Sequence, residues 1–253
     1  MSMTMKALSM SPLFRPLWPA LSKFEDYEQL PSVAQLNQQL CIDGIHFVSQ
    51  CQKTADFADG YEPRIYLQGE VQTRDQSWHD FFNALVWQQF PQSKKIINQL
   101  HYQLQKQRYP DKRRLQAENM LTLFDENGAL VISENPHLLE LIRQQRWHEL
   151  FWRQRDAVRQ QLKVIIFGHG LYEKLLQPYI GITAKALLFN HQDVKSLDAL
   201  LEKFIAENNE GLEPKMLSPL PILGVPDWWP ENEMECFYAN KAYFREKIAV
   251  DYP

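Results

Sequence analysis

The sequence predicts a helix-rich α+β fold in a single domain with a small, mostly antiparallel sheet, on three observations. Residues 77–104 hold two apolar stripes with the 3.6-residue period of amphipathic helices. ALVIS, KVIIF and ITAKALLF are β-branched or alternating runs of strand length. The 253 residues, 45% hydrophobic and 12% aromatic, supply a substantial core without disulfides and far too much apolar surface for a disordered chain.

From the N-terminus, residues 1–40 read as a proline-rich arm packed on the body, with a short helix near 31–40 that places Leu30, Val33, Leu36 and Leu40 on one side. Residues 41–253 form the domain itself. β-Formers in EPRIYLQGEVQT suggest a strand around Arg64–Leu67, interrupted by Gly69. Ser77-Trp78-His79-Asp80 is an S-x-x-D helix start: the Ser hydroxyl can accept an orphan amide proton, and the carboxylate favours the positive helix end. Trp78, Phe81, Phe82, Leu85 and Val86 then fall on one arc. Pro91 ends that helix and opens a second, striped by Ile96, Ile97, Leu100 and Leu104.

LTLF and ALVIS flank Asp125-Glu126-Asn127-Gly128, and Asn-Gly suits the positive φ angles of a tight reversal, so a β-hairpin is expected over 121–133. Asn135 and Pro136 are cap and first-turn residues of a helical region to about Leu162, broken near Gln144–Trp147. KVIIF reads as a buried strand, Gly168-His169-Gly170 as a sharp turn and LYEKLLQ as a short helix. ITAKALLF alternates as a strand does, and Asp193 caps a helix to about Ala206. Five prolines between 214 and 230 make 211–253 a loop that wraps the surface.

Cys41, Cys51 and Cys236 form no C-x-x-C pair, the usage of a reducing compartment, and the chain reads as cytoplasmic. Pro12, Pro16 and Pro19 break any signal-peptide core, and no run approaches the roughly 18–20 apolar residues a membrane span needs. The net charge of −4 conceals an asymmetry: residues 94–163 carry 13 Lys/Arg against 8 Asp/Glu, and residues 193–253 carry 6 against 12. Segment 94–114, with Lys94, Lys95, Lys106, Arg108, Lys112, Arg113 and Arg114 around Tyr102 and Tyr109, has the residue types that contact phosphates. The acidic total favours a solvated helix face over a nucleic-acid surface.

Two groups carry chemistry. His79 and Asn83 are neighbours at i, i+4 on the rim of a buried arc, with Asp80 one step round; partial burial tunes an imidazole and a neighbour fixes its tautomer. The same triplet also serves as a structural helix cap. His169, between two glycines after a strand, lies four residues before Glu173; H-x-x-x-E offers two metal ligands and needs a third from elsewhere, such as His79, Asp125 or His191. Phosphate-loop, dinucleotide, H-E-x-x-H and EF-hand signatures are absent. Trp228 and Trp229, stiffened between Pro226 and Pro230, suit a pocket wall, a partner surface or a pinned arm.

Together, the segments containing WHDFFNALVW, LTLFDENGALV, IFGHGLYEKLLQ and GVPDWWPENE resemble the bacterial family known as domain of unknown function 3025, over about residues 60–245. The resemblance implies a bacterial, soluble, single-module protein and brings no catalytic residue, cofactor or substrate. It departs at Gly170, where similar sequences usually carry Ala, which favours a continuous helix through His169.

Two functions are expected from these residues. One is a hydrolase-like site in which His79, Asp80, Asn83, His169 and Glu173 meet, using acid–base chemistry or a bound divalent metal. The other is a non-catalytic module that engages a protein or nucleic acid through Trp228, Trp229 and segment 94–114.

Overall fold

A computed structural model of the chain describes residues 4–50, 56–191 and 197–247. Asp193 and Cys51 lie outside them. The fold is α+β, as the sequence predicts. The N-terminal arm is α1 (Met5–Met10), a 3-10 turn over Pro12–Leu17 and α2 (Trp18–Leu21), followed by α3 (Val33–Gln39), which Ser32 and Gln35 close with a capping box. Leu8, Phe14, Leu17, Leu21 and Phe24 are fully buried, so the arm belongs to the core.

β1 (His46–Ser49) pairs in parallel with β2 (Glu70–Thr73) in a two-stranded ribbon. Between them, residues 61–68 form a helix, α4 (Tyr61–Gln68), where a strand around Arg64–Leu67 was expected. The helix ends at Gly69, whose φ of +72° is the left-handed cap that glycine adopts without strain. A Cβ there would also stand 2.1 Å from the Gly44 carbonyl oxygen. The helix pair α5 (Trp78–Gln89) and α6 (Pro91–Arg108) forms as the stripes predict, with Ser77 Oγ accepting the Asp80 amide at 3.3 Å.

The hairpin over 121–133 does not form. LTLF belongs to α7 (Gln116–Asn127), which runs directly into β3 (Gly128–Ile132). Gly128 has an ordinary φ of −73°; glycine is needed for room, since a Cβ would meet the Phe124 carbonyl oxygen at 2.2 Å. α8 (Pro136–Arg143) ends before the positive φ of Gln145, and a π-helical turn at Glu149–Arg153 leads into α9 (Arg155–Gln161). β4 (Lys163–Ile166) follows, and then α10 (His169–Lys174), whose N-cap is Gly168. The expected sharp turn over 168–170 is thus a helix start, with His169 already helical.

β5 (Thr183–Phe189), α11 (Leu197–Glu207) and β6 (Ser218–Pro221) complete the chain with 3-10 turns. The larger sheet has the order β4-β3-β5-β6, with β3–β4 and β5–β6 antiparallel and β3–β5 parallel. The expected C-terminal loop therefore contributes an edge strand. Its course is fixed by buried Arg155, whose guanidinium donates to Asn232 O and Oδ1 and to Tyr238 Oη and pairs with Glu233. No helix of the described residues is long and apolar enough to cross a membrane.

Candidate functional site

α5, α7 and α10 meet at one end of the central strand. α10 packs along α5 and against α7. The start of α10 is pulled onto the α7–β3 junction by the Phe167 and Gly168 amides, which both donate to the Gly128 carbonyl at 3.0 and 2.9 Å. A Cβ on Gly168 would lie 2.4 Å from Gly128 N, so only glycine permits this approach. His169, the first residue of α10, is thereby set against the end of α7 and faces His79, the second residue of α5.

The two imidazoles converge. Their Nε2 atoms are 3.1 Å apart, and Glu126 Oε1 lies 3.5 Å from His169 Nε2 and 3.8 Å from His79 Nε2. Behind His79, Glu173 Oε2 is 3.0 Å from Nδ1; a carboxylate only accepts, so Nδ1 carries the proton and Nε2 presents its lone pair. Behind His169, Nδ1 is buried without a hydrogen bond, with Asp125 Oδ2 3.7 Å away. Either a proton on His169 Nε2 donated to His79 Nε2, or a cation shared by all three atoms, satisfies this arrangement. An ion equidistant from the three would sit ~2.0 Å from each in their plane and slightly farther above it, near the length of a Zn–N or Zn–O bond. Among the described residues this is the one place where three such side chains bring ligand atoms within 4.8 Å of one another.

A second layer supports the first. Lys94, only 4% exposed, donates to both Asp125 oxygens at 2.6 and 2.8 Å and to Asn83 Oδ1 at 2.9 Å. Burial raises the affinity of Asp125 for a proton, but Lys94, then His169, outweigh it and hold the carboxyl below its usual range. Burial likewise opposes ionisation of Glu126, and the neighbouring His169 and His79 bring it below the usual value. Asp80 does not reach the imidazole pair: Arg74 clamps both its oxygens at 2.9 Å, adds its own amide, and overcomes burial to keep Asp80 ionised.

His79, Asp80, Asn83 and His169 line one cavity of about 310 Å³, with Tyr61, Glu62, Arg114, Asp125 and Glu126. Glu173 stands behind His79. Three further residues of the cavity network carry no local sequence signal: Glu126, whose Asn-Gly neighbours resemble a hairpin turn but which lies on α7, and Lys94 and Tyr61, both bonded to Asn83. His191, a candidate third ligand, lines a separate cavity beside Asn135 and Lys163. The basic segment is not a continuous cationic face, since Lys94 is buried and Arg108 forms a two-bond ion pair with fully buried Glu118. Trp228 and Trp229 are half-buried against the core.

A protein-family model described as "Protein of unknown function (DUF3025)" matches residues 45–248. No curated protein and no solved structure matches the chain.

Proposed function

The chain belongs to the DUF3025 family of proteins of unknown function, and from its site we propose that it is a metal-assisted hydrolase in which His79, His169 and Glu126 hold a divalent ion. The observation that carries this reading is the convergence of two Nε2 atoms and one carboxylate oxygen within 3.8 Å on the wall of a polar cavity. Two histidines and a carboxylate would leave an open position for water, and a divalent ion such as zinc held there would supply Lewis acidity and lower the pKa of a water molecule to about 7. The overall reaction would be hydrolysis of an acyl or phosphoryl bond, in which water supplies the hydroxyl to the electrophilic centre and the proton to the leaving group.

The remaining expected residues take distinct roles. Glu173 fixes the tautomer and orientation of His79, the carboxylate–histidine–metal relation of many zinc sites. Asp125, held by Lys94, stands 3.7 Å from His169 Nδ1, the ring atom turned away from the ion. Asp80 anchors Arg74 at the cavity wall, and Asn83 belongs to the Lys94 network.

Elemental analysis and zinc titration of the purified chain test the proposal. Expected are one tightly held equivalent, its loss in His169→Ala, and a roughly 10–100-fold weaker affinity in Glu173→Gln. Zinc binding no tighter in the natural chain than in His169→Ala removes the metal reading. Iron as the resident ion replaces hydrolysis with oxygen chemistry, because two histidines and a carboxylate also suit non-haem iron.

A further inference from the structure

Tyr61, the first residue of α4, lines the same cavity, and the donors behind it fix where its proton points. Lys94 is an ammonium with three N–H bonds and no acceptor. Its three partners, Asp125 Oδ1, Asp125 Oδ2 and Asn83 Oδ1 at 2.6, 2.8 and 2.9 Å, use all three. The Asn83 amide oxygen is therefore turned to Lys94, and Asn83 Nδ2, 3.0 Å from Tyr61 Oη, has to donate. Tyr61 Oη accepts that bond, so its own proton points away from Asn83. Among the described residues no other hydrogen bond reaches this hydroxyl.

Desolvation, and then the charges of Glu62 and Asp125, hold the Tyr61 phenol above the ordinary range, so it is a proton-bearing donor throughout neutral pH. Asn83, which bonds the Tyr61 hydroxyl, stands one helical turn, about 6 Å of backbone rise, from His79 on α5, and Tyr61 lines the same cavity as both imidazoles. The carboxylates nearby are largely engaged: Arg74 closes Asp80, Lys94 closes Asp125, and Glu62 accepts from Asn98 at 2.7 Å. Arg114, bonded to Thr122 Oγ1 at 2.9 Å, adds positive charge to the wall.

We infer that Tyr61 donates a hydrogen bond to a negatively charged oxygen of the substrate, a carboxylate or phosphate group, with Asn83 and Lys94 as positioning residues that fix the direction of that bond. This names the substrate class of the hydrolytic site and builds on that reading. A donor aimed at a substrate oxygen carries information that a structural tyrosine does not, because reversing the amide behind it should silence it without altering its shape.

Inorganic phosphate is the probe, titrated calorimetrically into the metal-free and the zinc-loaded full chain, with the Tyr61 ring carbon bearing the hydroxyl followed by NMR. Binding in at least one form is expected to weaken about tenfold in Tyr61→Phe, the loss of one hydrogen bond to a charged group. Asn83→Asp should weaken it similarly, since a carboxylate accepts from both Lys94 and Tyr61 and turns the phenolic proton inward. Zinc affinity should be unchanged in Tyr61→Phe, and phosphate should shift the Tyr61 carbon signal. No phosphate binding in either form, or equal binding in Tyr61→Phe, overturns the inference. If the natural chain binds no zinc yet loses phosphate affinity in Tyr61→Phe, the hydrolase reading fails and the Tyr61 assignment stands.

Discussion

Replacing Lys94 by Met isolates the buried charge on which the second layer depends. Methionine keeps most of the length and volume of the stem but removes the ammonium, which lies 5.3 Å from the centre of the Trp87 ring. Three hydrogen bonds disappear, two of them to a carboxylate whose side chain is 20% exposed. Breaking a buried pair by removing one partner costs about 3–5 kcal/mol, because the other charge is left without compensation. The pH dependence follows from Asp125. In the natural chain its carboxyl is depressed, so it contributes stability that is present above the unfolded pKa and lost as pH falls through the folded one. Without Lys94, burial dominates and lifts the folded pKa above the unfolded value, so the variant is penalised increasingly as pH rises past about 4. Urea denaturation of the metal-free chain, followed by tryptophan fluorescence, should show a gap of about 3–5 kcal/mol near pH 8 that narrows near pH 4.5. Lys94→Met with Asp125→Asn should recover much of it. A gap below about 1 kcal/mol at pH 8, or one that stays constant with pH, refutes the description of Lys94 as the compensating charge.

Two further changes probe the scaffold. Arg155→Met strips buried Asn232 and Tyr238 of their donor. Protease cleavage within 225–245 should therefore become faster while the natural chain resists; equal resistance means that apolar packing alone holds the segment. Gly168→Ala drives a methyl group to 2.4 Å from backbone nitrogen, which cannot move as a side-chain tip can, and should destabilise the chain by about 2 kcal/mol or more. An unchanged midpoint in the same urea titration rules out the close approach.

What the sequence revealed, and what it hid, follows the range of the interactions involved. α5 was legible because its cap, period and terminator are local: Ser77, the Trp78–Val86 arc and Pro91. The α7–β3 segment was misread because Asn127-Gly128 serves a tight reversal and a helix end equally well. What decides between them is distant, namely Arg108 holding Glu118 ten residues away and Gly168 seated against the junction. His79, His169 and Glu173 were visible as residue types at informative spacings, and the structure brings all three together. Glu126 is hidden in the sequence by the Asn-Gly that follows it, which suits a turn as well as the end of α7. Lys94 looked like one cation in a solvated stripe, since only tertiary packing reveals that it is buried.

Phe14 lies outside the 45–248 match, yet its ring contacts Phe82 of α5 and Tyr172 of α10 at centroid distances of 5.7 and 5.6 Å. The two helices that bring His79 to His169 are therefore wedged from beneath by the arm. A chain trimmed to the matched span would lack this keystone, and its failure to load zinc would say nothing about the ligands themselves.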